Sequence, residues 1–154
     1  MIRFNPEDFT NGQHGTVSGY FSTFQHDHGD SYGQVIRKGA FAGSIARRQA
    51  TGHPFPLLLN HDWNIILGMV TEIREDDKGA YFSAVFFPTE QAQEVRHIVR
   101  TGVLWQASFE YSVIDYGRIR AKDGSKVTEL REVELYEISI VLYPANEHTM
   151  ITST

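Results

Sequence analysis

A short apolar run between prolines and polar residues is the feature that most restricts how this chain folds. Residues 54–63 read Pro-Phe-Pro-Leu-Leu-Leu-Asn-His-Asp-Trp. The three leucines are too few for a helix and are bounded by proline, which is typical of a buried strand. The run ends in Asn60-His61-Asp62, so His61 is predicted to lie at the mouth of that strand. A histidine held by rigid structure yet open to solvent is suited to act as a catalytic base, although it could equally begin an ordinary loop.

The bulk composition indicates one folded domain. The chain has 154 residues, of which 41% are hydrophobic, and this excludes a disordered chain. We therefore predict a single domain over residues 1–154, long enough to be a catalytic domain. No apolar run approaches the ~20 residues that cross a bilayer, and the N-terminus lacks the apolar core of a signal peptide. These features predict a non-secreted protein with no membrane partner.

Charge and cysteine content exclude further classes. The formal net charge is -5, from 14 basic and 19 acidic residues, which argues against nucleic acid as the main partner. The absence of cysteine excludes disulfides, thiolate metal sites and a cysteine nucleophile. We predict no cofactor, and a homo-oligomer remains possible.

Hydrophobic periodicity predicts a mainly β, α+β fold. Helices are predicted over residues 39–50, ended by Gly52, and 89–100, capped by Thr89 and ended by Gly102. Strands are predicted over residues 15–25, 57–59, 65–74, 79–87, from 105 onward, and 126–143. Because most of the strands are joined by hairpins, we expect a largely antiparallel, barrel-like sheet flanked by two or more helices.

The strand that begins near Trp105 carries a candidate nucleophile. One face is predicted to hold Trp105, Ala107, Phe109, Tyr111 and Val113, and the other Gln106, Ser108, Glu110 and Ser112. Ser108 therefore points away from the predicted core. A solvated strand face would explain a serine there equally well.

The last long strand carries an unusual carboxylate. Tyr136, Ile138, Ile140 and Leu142 share one predicted face, and Glu137 and Ser139 lie opposite. A carboxylate in so apolar a strand costs free energy unless it is exposed, paired or hydrogen-bonded. Composition alone favours surface exposure, whereas a buried partner would indicate a functional role.

A polar loop offers a different chemistry. His26, Asp27, His28 and Asp30 fall within five residues, which suggests a metal site and a metal-dependent hydrolase that uses His26, His28 and Asp30. So short a loop rarely brings four side chains to one point, and we therefore predict no metal ligand. Inhibition by a chelator would distinguish this hypothesis from a serine enzyme.

Several of these segments form an ordered series of motifs over residues 15–150. They are Gly19-Tyr20-Phe21, the loop with Asp27 and Asp30, residues 36–41, residues 57–62, Gly68, Ser108, and residues 135–141 running into Pro144-Ala145-Asn146. Together they resemble the prohead (capsid maturation) proteases of tailed bacteriophages, serine peptidases similar in fold to the herpesvirus assembly proteases. The resemblance therefore implies a herpesvirus-protease-like fold.

The resemblance also implies a serine endopeptidase whose catalytic residues are Ser108 and His61. A serine hydroxyl is a poor nucleophile until a base such as imidazole accepts its proton. A third group usually orients that base, and Glu137 is our prediction, since the side chain of Asp62 should diverge from its neighbour. The herpesvirus enzymes use a second histidine, which leaves three other candidates: His53, His97 and His148.

The resemblance further implies the biological setting. Its substrates would be the major capsid protein and the scaffold protein of a phage, cleaved in the interior of the procapsid, which assembles in the bacterial host cytoplasm. A catalytically inactive structural or binding module of the same fold is the alternative. The chain departs from the family at one place, because Phe109 follows the serine where a small residue is common. The oxyanion donors are therefore not assigned.

Overall fold

The computed structural model describes residues 12–24 and 28–154. Two helices lie in this part of the chain, α1 (Ala42–Thr51) and α2 (Glu90–Arg100). The strands are β1 (Thr16–Thr23), β2 (Gln34–Ile36), β3 (Pro56–Leu59), β4 (Asp62–Glu75), β5 (Gly79–Phe86), β6 (Gln106–Arg120), β7 (Lys126–Val141) and β8 (Met150–Ser153). The predicted mainly β fold with helices is confirmed.

All eight strands form one sheet. Seven of them follow the order β2-β7-β3-β4-β5-β1-β8. β2 and β3 pair with different parts of β7 along one edge, and β6 pairs with the opposite edge. The predicted antiparallel barrel is not confirmed. The sheet is mixed, because β2 and β3 both run parallel to β7. Within the described residues no strand ladder joins its two ends, although the Ile151 N–H donates to Trp105 O at 2.8 Å. Hairpin counting missed the parallel pairs, since β2 and β3 reach β7 through long connections.

β7 is the strand that organises the site. Its whole length pairs antiparallel with β6, and Ser108 lies opposite Ser139 in that ladder. On its other edge, β3 pairs with the end of β7, so that Leu58 lies beside Ser139. The turn after β3 and the beginning of β6 are thereby brought to the same stretch of β7.

The end of α1 and the start of α2 follow the capping rules. Gly52 ends α1 with φ 72°, a left-handed conformation that glycine adopts without steric cost. Thr89 caps α2, and its hydroxyl accepts from the Ala92 N–H at 3.3 Å. α2 packs through Ala92, Val95 and Val99, and Ile98 is exposed. Neither helix is long and apolar enough to cross a membrane.

One hydrophobic core fills the space between the sheet and the helices. Its largest fully buried side chains are aromatic and branched aliphatic residues: Phe21, Phe41, Phe82, Phe86, Leu57, Leu58, Leu67, Leu130, Leu135, Ile138 and Ile140. Each such side chain contributes roughly 1.5–3 kcal/mol through the removal of apolar surface from water. The core surrounds the inner ends of β3, β6 and β7, which makes the strand positions next to the site rigid.

Strict alternation fails where β6 and β7 change register. Register shifts lie between Glu110 and Tyr111 and between Val113 and Asp115. The shift after Glu110 leaves Tyr136 of β7 without a partner, and its side chain is 43% exposed; Val113, predicted to face the core, is also 43% exposed although it pairs with Val133. A bulge inserts a residue without a partner and turns its side chain away from the expected face. A third shift lies between Asp115 and Tyr116, and the inner part of β6, which holds Ser108, precedes all three.

Candidate active site

A two-residue turn between β3 and β4 holds His61. Leu59 pairs with Asp62, and the intervening Asn60 and His61 have φ 49° and 59°. Positive φ at both central residues is characteristic of a type I′ hairpin turn, and asparagine and histidine tolerate it better than most side chains. The Asn60 N–H donates to Ile140 O at 2.9 Å, which fastens the turn to β7.

The His61 ring pairs with the Glu137 carboxylate. Nδ1 forms a hydrogen bond with Oε1, and the carboxylate is fully buried while the ring is 37% exposed. Since the carboxylate can only accept, Nδ1 carries the proton and Nε2 keeps the lone pair in the neutral ring. The hydrogen bond to Glu137 raises the pKa of His61; burial opposes this, and the charges of Glu137 and Glu110 add to it.

Ser139 connects the same two residues. Its hydroxyl donates to Glu137 Oε2 at 2.6 Å and accepts from the His61 N–H at 3.0 Å. Both carboxylate oxygens are therefore hydrogen-bonded, which offsets the cost of burying the charge. The surface exposure that composition favoured for Glu137 is wrong, whereas its predicted place on one face with Ser139 holds.

Ser108 lies across the ladder from Ser139 and is half-buried. It lines the same cleft as His61. Within the described residues no hydrogen bond joins the two side chains. The next residue, Phe109, packs edge-on against Phe41 and Phe21, with ring centroids 5.1 and 5.6 Å apart. This aromatic packing fixes the backbone that carries the serine.

The cleft has a volume of about 680 Å³, enough for several side chains of an extended peptide. It is bounded by the end of β1, the loop before β2, the inner half of β6 and the loop after β7. Its lining residues are 21–23, 28–32, 34, 36, 61, 108–111 and 143–148. The walls are mixed in polarity, and three carboxylates, Asp30, Glu110 and Glu147, lie along them.

The other candidates for the third role lie elsewhere. Asp62 Oδ1 accepts from the Asn64 backbone and side-chain amides, so it turns away from His61 as predicted. His53 is exposed after α1 and His97 is exposed on α2. His148 lies in the cleft wall beside Glu147. Of these residues and Glu137, Glu137 is the one whose hydrogen bond to the His61 ring the structure records.

The predicted polar loop is only partly described. His26 and Asp27 lie outside the described residues. Asp30 Oδ1 accepts from the backbone N–H groups of Tyr32 and Gln34, each at 2.9 Å, so this oxygen shapes the loop. Burial raises the pKa of Asp30, opposed by those two hydrogen bonds. His28 Nε2 lies 3.5 Å from Glu147 Oε1 in the loop after β7.

The class of protein follows from a family match of the sequence. The sequence matches the caudovirus prohead serine proteases over residues 2–154, and the chain belongs to that family. A comparison with curated proteins found no match.

Two viral proteases are among the solved structures with a similar fold. The bacteriophage T4 capsid assembly protease, gp21, has a TM-score of 0.61 and 10% identity, covering 82% of this chain and 80% of that one. The varicella-zoster virus protease has a TM-score of 0.53 and 13% identity over 88% of this chain. The match spans 62% of the herpesvirus enzyme. At these identities the likeness concerns the fold.

Two features were not predicted as parts of the site. Ser139 was recognised only as sharing a face with Glu137, yet it hydrogen-bonds to both Glu137 and His61. The polar pair two residues apart in an apolar strand was the available signal. The loop of residues 143–148 lines the cleft through contacts that no local pattern predicts.

Proposed function

We propose that this chain is a serine endopeptidase in which Ser108 is the nucleophile, His61 the general base and Glu137 the group that orients the base. The observation that carries the proposal is the hydrogen-bonded series from the His61 ring to the buried Glu137 carboxylate and Ser139, beside Ser108 in one cleft. A base with its own buried carboxylate is the arrangement that serine hydrolysis needs.

The tautomer of the His61 ring determines which nitrogen atom can accept the proton of the nucleophile. Nδ1–H is engaged by Glu137, so Nε2 is available to take the Ser108 proton as Oγ attacks the peptide carbonyl. The carbonyl carbon becomes tetrahedral, and the imidazolium then gives its proton to the departing amine, which leaves an acyl-serine. Water attacks the acyl group by the same route, which restores the serine and releases the acid. The buried carboxylate stabilises the imidazolium at each step.

Ser139 acts as a positioning residue in this scheme. By donating to Glu137 it keeps the carboxylate in place, and by accepting from the His61 N–H it holds the turn. It reaches the reacting atoms only through these two residues. A base held to within a fraction of an ångström accounts for a large part of enzymatic rate.

The proposed substrates are the scaffold protein and the major capsid protein of a tailed phage. Membership of the prohead protease family supports this, as does the fold shared with a T4 protein that is named a capsid assembly protease. The corresponding place of action is the interior of the procapsid, assembled in the bacterial host cytoplasm.

Two serines on one strand test the nucleophile. Ser108→Ala should lower kcat for a capsid-derived peptide by roughly 10⁶, because the attacking oxygen is gone. Ser112→Ala is the matched control: Ser112 lies four residues further along β6, is exposed, and hydrogen-bonds to the Tyr136 hydroxyl. It should retain the parental rate.

Co-expression with the cognate capsid and scaffold proteins tests the substrates. The parent should shorten one or both chains, and the Ser108→Ala form should leave them at full length, as read by mass spectrometry. Cleavage within tenfold of the parent in Ser108→Ala would exclude this nucleophile. Full-length capsid and scaffold chains with the parent would instead favour the inactive structural module.

A further inference from the structure

Three potential metal ligands meet in the cleft wall, away from the His61–Glu137 pair. His28, Glu147 and His148 each offer one ligand atom, and these atoms all lie within 4.8 Å of one another. His28 comes from the loop before β2 and the other two from the loop after β7, 119 residues along the chain. The two loops are joined by a bond from the Ser31 N–H to Ala145 O at 3.1 Å.

The distances around Glu147 suit a small divalent cation. Its Oε1 lies 3.5 Å from His28 Nε2 and 3.7 Å from His148 Nε2. Ligand atoms of a tetrahedral zinc ion are about 3.3–3.5 Å apart, since each bond is about 2.0–2.1 Å long. The centroids of the two imidazole rings are 6.1 Å apart. Both rings are exposed, so they can rotate enough to bring their nitrogen atoms to the ligand spacing of a zinc ion.

The orientation of His28 supplies a second, independent argument. Its Nδ1 lies 2.7 Å from the Gly29 carbonyl oxygen, which can only accept, so Nδ1 carries the proton. In the neutral ring Nε2 then presents a lone pair toward a carboxylate oxygen that also only accepts. Two facing acceptors need a proton or a metal cation between them. A backbone carbonyl on the opposite ring nitrogen is also the usual support of a metal-bound histidine.

We propose that His28, Glu147 and His148 form a binding site for a divalent transition-metal ion of the zinc type. Imidazole nitrogen and carboxylate oxygen are ligands that zinc takes, and three protein ligands leave a position open to solvent. All three residues line the cleft, so the ion would join the two loops that form one of its walls. The site differs from the metal hypothesis drawn from the sequence, because its other ligands lie near the opposite end of the chain.

The ion would act as a clip between two loops and would take no part in peptide hydrolysis. The residues proposed for hydrolysis are His61, Ser108 and Glu137, and His61 has its own hydrogen-bonded partner. Binding can therefore be measured directly, and the result does not depend on the proposed catalytic roles.

The test titrates the purified chain with zinc chloride against a coloured zinc chelator. We expect one ion per chain for the parent and an affinity at least about tenfold weaker in each of His28→Ala, His148→Ala and Glu147→Gln. His97→Ala is the matched control, an exposed histidine on α2 that should bind as the parent does. Circular dichroism of each variant confirms that it is folded.

Two further measurements examine geometry and consequence. Cobalt(II) in place of zinc should give the intense visible bands of a four-coordinate ion in the parent and not in His148→Ala. Zinc should also slow amide hydrogen exchange in residues 28–33 and 143–149 of the parent. An unchanged affinity in folded His28→Ala and His148→Ala, or no stoichiometric binding by the parent, overturns the proposal. The three residues would then form a hydrogen-bonded cluster of protonated histidines and a carboxylate without a metal ion.

Discussion

The Glu137 carboxylate is fully buried and forms a hydrogen bond with the ring of His61, which is 37% exposed. One end of the pair lies in the core and the other opens to the cleft. Ser139 hydrogen-bonds to the second carboxylate oxygen. A buried charge with both oxygens hydrogen-bonded can hold the imidazole without the mobility of a surface ion pair.

Replacing the carboxylate by an amide should separate orientation from nucleophilic attack. We expect Glu137→Gln to lower kcat by roughly 10² to 10⁴, less than Ser108→Ala, because the amide neither holds the tautomer nor stabilises the imidazolium. Steady-state kinetics on one peptide measure it. Glu134→Gln is the control, since Glu134 lies on β7 and pairs with Arg47. Parental kinetics in Glu137→Gln, with a large loss in His53→Ala, His97→Ala or His148→Ala, would transfer the role to that histidine.

The pH dependence of activity follows from the raised pKa of His61. The base must be neutral to accept the serine proton, so kcat/KM should rise with pH through a midpoint above the ordinary histidine value of about 6.5. In Glu137→Gln the hydrogen bond and charge that raise this pKa are removed, and the midpoint should move to lower pH. A midpoint that is the same in both forms would contradict the assignment of His61 as the titrating base.

The contribution of His61 to the free energy of unfolding should fall with rising pH, whereas kcat/KM should rise. A histidine whose pKa is higher in the folded state stabilises the fold fully below about pH 6.5, and this contribution is lost as pH rises through the folded pKa. Urea unfolding at pH 6 and pH 8 should therefore show a larger loss of unfolding free energy for the parent than for His61→Ala. Equal losses in the two proteins would show that other groups dominate this window.

Removing the Ser139 hydroxyl should affect both stability and rate. Ser139→Ala deletes a hydrogen bond to a buried charge, which costs about 1.5–3 kcal/mol, and leaves the His61 N–H without its acceptor. The melting temperature should fall by about 2–4 °C per kcal/mol in a chain of this size. We expect kcat to fall with it. Ser108→Ala, whose hydroxyl has no hydrogen bond among the described residues, should melt within about 2 °C of the parent.

Gly68 should tolerate no side chain. A Cβ atom there would lie 1.9 Å from Val85 O on the neighbouring strand, so the backbone of β4 or β5 would have to move. We expect Gly68→Ala to destabilise the protein by more than about 2 kcal/mol in urea unfolding. Gly102→Ala is the comparison: its Cβ would meet open space, and only its φ of +83° adds strain, of about 1 kcal/mol. A smaller loss for Gly68→Ala than for Gly102→Ala would contradict this account.

Local sequence determined most of the elements of this protein. The glycine after α1, the threonine before α2 and the proline-bounded leucine run each act within a few residues, so their patterns predict where a helix or strand begins and ends. The places of His61 at a strand mouth and of Glu137 beside Ser139 on one face follow from the same short-range rules. Up to the register shift after Glu110, strand alternation also holds for Ser108.

Tertiary structure alone decided which of these positions meet. β3 lies parallel to β7 after a connection of more than 60 residues, and this pairing brings His61 to Glu137. Hydrophobic periodicity specifies which face is buried but carries no information about the neighbouring strand or its direction. The burial of Glu137, the bulge that exposes Tyr136, and the meeting of His28 with residues 147 and 148 depend on such long-range contacts. These contacts form only when the whole sheet is assembled, so local sequence patterns do not predict them.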